Sequence, residues 1–218
     1  LAHEIKNPLT PIQLTIDRLK NKYSSQLNEN DNENFKENLK IINNQIKQIE
    51  ELVNEFSDFA RMPKPIFQNN DLVSLMNDNI KLLQELDNSI NINFIYDNQK
   101  ILFNCDKEQL SRVFFNLIKN SIESIQQKSE KMSNYNKNIA IELNNNGNHI
   151  SLIINDTGVG FKELNRNVKD ILNPYFTTKK KGTGLGLSIV NKIINDHGGN
   201  IDFISTDKGA EIKIIFKK

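Results

Sequence analysis

Two rhythms of apolar residues divide the chain. Ile5, Leu9, Ile12, Ile16, Leu19 and Tyr23 follow one another at alternating steps of four and three, and Phe35, Leu39, Ile42, Ile46, Ile49, Val53 and Phe56 repeat the pattern. Such spacing keeps one apolar stripe turned toward a partner helix, as in left-handed bundles. Between the two runs, Ser24 to Asn34 is polar, acidic and rich in Asn, and reads as the connection of a helical hairpin. Ile41, Leu52 and Phe59 lie beside the second seam and widen it. One hairpin cannot cover so broad a stripe, so two hairpins pairing as a dimeric four-helix bundle is the economical solution. An intramolecular coiled coil packed on the rest of the chain is the alternative.

Pro63 and Pro65 end the second helix, and the rhythm then changes to short strands alternating with helices. Ile66-Phe67 is a short strand candidate. Asp71 to Leu86 is amphipathic, with Leu72, Leu75, Met76, Leu83 and Leu86 on one side. Ile92, Phe94 and Tyr96 alternate as in a half-buried strand, and Ile101 with Phe103 suggest another. Asp106 to about Lys128 reads as a long helix. Ile139 to Leu143 and Ile150 to Ile154 flank Asn144–Asn148, whose Asn-Gly step suits a hairpin turn. A further helix from about Leu185 to His197 ends at Gly198 and Gly199, and Ile201 to Ile204 with Glu211 to Phe216 form a last hairpin. The expectation is an α+β chain of two domains: a helical hairpin over 1–62, then an α/β two-layer sandwich over 63–218.

Composition narrows the partners. The 27 acidic and 28 basic residues nearly cancel, and no long basic stripe is present, which argues against nucleic acid and against acidic membrane surfaces. Cys105 is the single cysteine and sits beside Ile101 and Phe103, as a small core residue would. No apolar run approaches the roughly 20 residues that span a bilayer. The chain opens on Leu1 inside a helical pattern, so the expectation is a fragment of something longer, with any sensor or membrane anchor upstream.

Candidate chemistry begins at Leu1-Ala2-His3-Glu4-Ile5-Lys6-Asn7-Pro8-Leu9-Thr10-Pro11. With Ile5 and Leu9 in the seam, His3 points to solvent, Glu4 is its neighbour and Asn7 lies one turn on. Imidazole is a good nucleophile while neutral, and its unperturbed pKa of about 6.5 keeps it mostly so near pH 7. Pro8 withholds a helical N–H from the carbonyl of Glu4, and each interior proline costs about 3 kcal/mol. Leu14 shares the outward face, where an apolar residue has no seam to fill.

Four more signals follow in order. Asn116 and Asn120 lie one turn apart on the long helix, and a neutral amide oxygen there suits Mg²⁺ already bound by phosphates. Asp156-Thr157-Gly158-Val159-Gly160 directly follows an apolar strand; its carboxylate can accept from an exocyclic amine while the glycines admit a flat base. Pro174-Tyr175-Phe176-Thr177-Thr178-Lys179 precedes Gly182-Thr183-Gly184-Leu185-Gly186-Leu187, a glycine-rich loop opening a helix, where N–H groups and the dipole favour phosphate.

Together these strings resemble the H, N, G1, F and G2 boxes of bacterial sensor histidine kinases, and the His-Glu-Ile-Lys-Asn-Pro-Leu-Thr-Pro run resembles nitrogen-regulation kinases of the NtrY type. The resemblance implies a dimerisation and phosphotransfer hairpin followed by a Bergerat (GHKL) ATP-binding fold, with ATP and Mg²⁺ as cofactors. It implies His3 as phosphoacceptor, Glu4 as the base that takes or orients its proton, and Asn7 as a phosphatase residue. It implies Asn120 as the Mg²⁺ ligand, Asn116 on the phosphate side, and Asp156 with Gly158 and Gly160 around adenine. Residues 157–182 become a mobile lid hinged at Phe176, with Thr178, Lys179, Gly182, Thr183, Gly184, Leu185 and Gly186 about the phosphates. The implied partners are a second copy and the receiver domain of an NtrX-like response regulator. Ser121 departs from the usual Ala of the N box, and Phe161 follows the G1 glycines; neither removes a reacting group. A chaperone or mismatch-repair type of ATPase stays open, although it needs no His-bearing hairpin. So does a non-catalytic or phosphatase-dominant dimeric scaffold that docks a response regulator.

Overall fold

The structure is a computed structural model that describes residues 7–97, 99–132, 135–161, 168–179 and 182–218. It divides into two compact units, one reaching Pro63 and including Thr177–Leu185, the other comprising Lys64–Phe176 and Gly186–Lys218.

The first unit is a helical hairpin of α1 (Leu9–Tyr23) and α2 (Glu29–Ala60). Pro11 is the third residue of α1, where an N–H has no intrahelical partner to lose, so the interior-proline cost does not arise there. The connection is shorter than the polar run suggested. The Asn28 side chain caps α2 by accepting from the N–H of Asp31 (2.9 Å), and Glu29 and Asp31 suit the positive end of the helix, so the acidic stretch is recruited into α2.

The seam also differs from the expected one. Leu9, Ile16, Leu39 and Ile46 are buried together, with Phe35 packed against them. Ile42, Ile49 and Phe56 are 44, 41 and 37% exposed, and Ile12, Leu19 and Tyr23 are likewise open. The buried set keeps a seven-residue step (Leu39, Ile46, Val53), whereas the positions between them turn away from α1. Each helix therefore carries two apolar stripes, of which the hairpin covers one.

In the second unit the strand expected at Ile66-Phe67 lies one step later, as β1 (Gln68–Asp71). It pairs antiparallel with β3 (Leu102–Cys105), while both expected residues remain exposed. Polar Gln-Asn-Asn-Asp forms a strand here because β3 offers it a ladder, and Asp71 then caps α3 (Leu72–Gln84) by accepting from Val73 N–H (3.1 Å). The main sheet runs β2-β4-β5-β7-β6, built from β2 (Asn91–Tyr96), β4 (Asn138–Asn145), β5 (His149–Asp156), β6 (Gly199–Ser205) and β7 (Ala210–Lys217). Only β2 and β4 are parallel among its pairs. Gly147, at φ +81°, closes the Asn-Gly hairpin between β4 and β5.

Long helix α4 (Lys107–Ser129) packs between α3 and α5 (Gly186–Asp196) as the second layer. Phe114, Leu117, Ile118 and Ile125 of α4 and Ile139, Ile141, Leu152, Ile214 and Phe216 of the sheet are wholly buried or nearly so. A 3₁₀ turn, Val168–Leu172, was not expected from the sequence.

Two residues with no motif fix the start of α4. Asp106 accepts from Gln109 N–H (3.0 Å) as the cap and from Ile66 N–H (2.8 Å) of the incoming chain. His197 is buried; its Nε2 accepts from Asp106 N–H (3.0 Å), so Nδ1 carries the proton and donates to Ile193 O (2.8 Å). Cys105 is a buried core thiol, pushed up to about 11 by burial. No helix among the described residues is long and apolar enough to cross a membrane.

Candidate functional site

In the second unit Asp156, Gly158 and Gly160 lie at and just beyond the end of β5, and Asn116 and Asn120 lie on α4. Strand β5 is held in register to its last residue, where Asp156 pairs with Ile139, and Thr157 extends the hold: its N–H donates to Asn138 O (3.2 Å) and its Oγ1 accepts from Asn138 N–H (3.0 Å). The Asp156 carboxylate is therefore fixed by sheet on one side. Its Oδ1 accepts from Gly158 N–H (2.9 Å) and Ala210 N–H (3.3 Å), and the residue is 6% exposed. Burial pushes its carboxyl above the ordinary carboxylate value; those two N–H groups, the Ser121 hydroxyl and the Lys128 ammonium act against the rise without cancelling it.

The glycines that follow are required by crowding. A Cβ at Gly158 would stand 2.1 Å from Ser124 Oγ, and one at Gly160, whose φ is +68°, would stand 2.5 Å from Gly209 O. Backbone of the β5 end, backbone of the β6–β7 turn and one face of α4 thus meet without intervening side chains. Lys128 closes this junction from α4, its Nζ donating to Thr157 O (2.7 Å), Gly158 O (3.0 Å) and Lys208 O (2.9 Å). Ser124 Oγ accepts from Val159 N–H (3.1 Å), and the Phe161 ring meets Phe203 of β6 edge-on at 5.8 Å.

Asn116 lies one turn before Asn120 on α4. Its Nδ2 donates to Arg112 O (2.8 Å), which turns Oδ1 toward the first turn of α5, 3.3 Å from the place a Cβ on Gly186 would occupy. Asn120 is half-buried on the same helix. The Asn box and the start of the glycine-loop helix are thus neighbours.

The segment before it behaves differently. Phe176 is half-buried, and its N–H closes a turn onto Asn173 O (3.2 Å) with Pro174 at the second position and Tyr175, at φ +67°, at the third. Within the helical unit, Thr183 Oγ1 donates to Glu55 of α2 and accepts from Leu185 N–H (3.4 Å). Lys179 N–H donates to Thr177 Oγ1 (3.1 Å), Gly182 packs against the same threonine, Gly184 has φ +70°, Leu185 is buried and Thr178 is exposed. Asn7 is exposed just ahead of α1. His3 and Glu4 lie outside the described residues.

Residues 105–218 match the family described as histidine kinase-, DNA gyrase B- and HSP90-like ATPase, and residues 1–65 match the His Kinase A (phospho-acceptor) domain. The chain belongs to the sensor histidine kinases. Over its whole length it is 35% identical to the nitrogen regulation protein NtrY of Azorhizobium caulinodans, covering 28% of that protein. Over 99% of its length it is 39% identical to a putative NtrY-like sensor histidine kinase of Rickettsia prowazekii, covering 35% of it. The chain thus spans about a third of the length of these curated relatives. Among solved structures, histidine kinase ThkA in complex with the response regulator protein TrrA aligns over the whole chain and 59% of that one, at TM-score 0.70 and 27% identity. The isolated ThkA catalytic domain aligns over 70% of this chain and 96% of that one, at TM-score 0.60 and 28% identity.

Sensor kinase motifs do not name every group that shapes this site. Ser124, Lys128 and Gly209 escaped the sequence reading, as did, within the helical unit, Glu55 as the partner of Thr183. The first two had a legible signal: Ser121, Ser124 and Lys128 fall at steps of three and four on a helix whose opposite positions are apolar, marking a polar stripe that needs buried partners. Gly209 and Glu55 had none, because their partners are distant in sequence.

Proposed function

We propose that the chain is the kinase core of a two-component sensor, in which residues 63–218 bind ATP and residues 1–62 carry the acceptor His3 and pair with a second copy. The observation that carries this reading is the buried Asp156 carboxylate, one oxygen held by backbone N–H groups, beside glycines that leave no room for side chains. A carboxylate held so is complementary to an exocyclic amine. The glycines let the end of β5 pack directly against α4 and the β6–β7 turn, which fixes the carboxylate beside them, and Asn116 beside the first turn of α5 supports a phosphate end to the same site. Carboxamide oxygens suit a hard cation that phosphate oxygens already hold, so Asn120 fits Mg²⁺. When bound, that ion supplies neutralisation of phosphate charge.

In the transfer step the neutral ring nitrogen of His3 forms a bond to the γ-phosphorus as the bond from phosphorus to the bridging oxygen of ADP breaks, and Glu4 takes or holds the other ring proton. The phosphoryl group then passes to an aspartate of an NtrX-like receiver. Asn7, one turn after His3, orients the water that hydrolyses the receiver's acyl phosphate. The open apolar stripes of α1 and α2 support pairing with a second hairpin.

Incubation of the chain with γ-labelled ATP tests the proposal. Acid-labile, base-stable label is expected, and His3→Ala should abolish it while nucleotide still binds; label that persists in the variant overturns the acceptor assignment. ATP should bind at least about tenfold more tightly than GTP, whose O6 would face the carboxylate acceptor to acceptor. Equal affinities would remove Asp156 from the reading of the base.

A further inference from the structure

Helix α4 carries four serines, and three of them have partners. Ser111 Oγ exchanges hydrogen bonds with Asn79 (3.0 Å from Asn79 Nδ2), Ser124 Oγ accepts from Val159 N–H (3.1 Å), and Ser129 Oγ donates to Ile125 O one turn back (2.9 Å). Ser121 is 2% exposed, its Oγ is sealed from solvent, and it makes no hydrogen bond within 3.5 Å, not even the one-turn bond open to any helical serine. A buried hydroxyl without a partner costs stability, and an alanine would fill the same space without that cost. Ser124, one turn further along the same face of α4, packs against Gly158, whose N–H holds the Asp156 carboxylate. Ser121 therefore lies on the helix face turned toward that carboxylate, close enough to favour its charged form though not in a completed bond.

Resting on the ATP-site reading above, we propose that Ser121 is a positioning residue for base recognition: its buried hydroxyl hydrogen-bonds the Asp156 carboxylate, directly or through one water, and turns it toward the exocyclic amine of an adenine nucleotide. Oδ1 is already committed to the N–H groups of Gly158 and Ala210, which hold one edge of the carboxylate. A donor on the helix side fixes the remaining rotation, so that the acceptor lobe meeting the amine is set before the nucleotide arrives. Lys128 of α4 is the charged group facing Asp156; β4 presents Ile139, and the β6–β7 turn presents the N–H of Ala210. Removing the hydroxyl subtracts one of the influences that oppose burial, so protonation of the carboxylate should set in at higher pH.

The test compares the full chain with Ser121→Ala, using ADP and the 5′-diphosphate of purine riboside, which lacks the amine, from pH 5 to pH 9 by isothermal titration. The substitution should weaken ADP about fivefold near neutral pH while leaving the amine-free analogue unchanged. It should also move the acid-side loss of ADP affinity to higher pH. Equal weakening of both ligands, or none for ADP, overturns the proposal. If the wild-type chain does not prefer ADP to the analogue, the assignment of Asp156 to the amine fails first, and the role of Ser121 with it.

Discussion

The hairpin and the α/β unit are stabilised in opposite ways. In the α/β unit most large apolar residues of α4 and of the central strands β4, β5 and β7 are buried, many of them wholly, and the two-layer arrangement closes on itself. In the hairpin a single row of buried residues joins α1 to α2, while Ile42, Ile49 and Phe56 look outward. The first is a core; the second is half of one. This difference fits the chemistry proposed for each: a nucleotide cleft needs rigid walls, whereas an acceptor helix must be exposed to a kinase domain and to a receiver in turn. A sequence with equally strong apolar patterns in both regions therefore encodes two kinds of stability, one internal to the unit and one that depends on a second surface.

The sharpest way to break the comparison is inside the closed core. Phe114→Ala removes a wholly buried ring from α4 and should cost about 3–5 kcal/mol. Hydrogen exchange read by fragment should show lost protection across the β-sheet and α4, with the hairpin unchanged. Equal loss in the hairpin would mean that the two units unfold together.

A second pair of substitutions separates the two stripes of α2. Leu39→Ala, in the buried row, should lower hairpin stability by about 2–5 kcal/mol at every protein concentration. Ile49→Glu, on the open row, removes up to about 1.5–3 kcal/mol that burial against a second copy would supply. Its effect should therefore appear in sedimentation as dissociation and in melting as a lost dependence on concentration. A monodisperse monomer in the wild-type chain would assign the open stripe to something other than a second copy.

Smaller still is the contribution of Asp106. Burial alone would raise its carboxyl, but the N–H groups of Ile66, Gln109 and Glu108 hold it below the ordinary carboxylate value. A depressed folded pKa means stability that is present above about 3.9, the unfolded value, and lost as pH falls through the folded one. Asp106→Ala should cost about 1 kcal/mol near neutral pH, the usual worth of a cap, and Asp106→Asn should keep most of it while flattening the acid limb of the denaturation profile. An Asn variant that retains the wild-type acid limb would place its cause in another carboxylate.

How much of this was legible follows from what each signal depends on. The Asn-Gly hairpin, the long α4 and the carboxylate at the end of β5 were readable because turn chemistry, helical periodicity and a polar residue closing an apolar run are local properties. The strand expected at Ile66-Phe67 was misplaced because β1 exists only through its ladder with β3, more than thirty residues away. The second seam was misread because steps of three and four are shared by both stripes of α2, and only packing against α1 decides between them. The role of His197 was invisible for the same reason: one bond is local, to Ile193, but the other reaches back to Asp106. Ser121 stood out in the sequence as a departure from a motif, yet its lack of a partner emerges only in three dimensions.

The least disruptive test concerns the outer face of α1. Leu14 is 54% exposed, in contrast to the buried Leu9 and Ile16 on the same helix, so it contributes nothing to the hairpin row. Replacing it with Asp should change stability by no more than about 0.5 kcal/mol, as for most surface positions, and should spare autophosphorylation because no part of the ATP cleft is touched. If the receiver domain seats on this face when it takes the phosphoryl group, an apolar contact there is buried only in that complex, and a carboxylate would have to be desolvated to form it. Transfer from the phosphorylated chain to its cognate receiver should then slow several-fold under subsaturating conditions. Single-turnover transfer kinetics at increasing receiver concentration measure the effect, and rates that converge at saturation would locate it in docking. Identical rates at every concentration would mean that Leu14 is merely a surface leucine, and would move the docking face elsewhere on the hairpin.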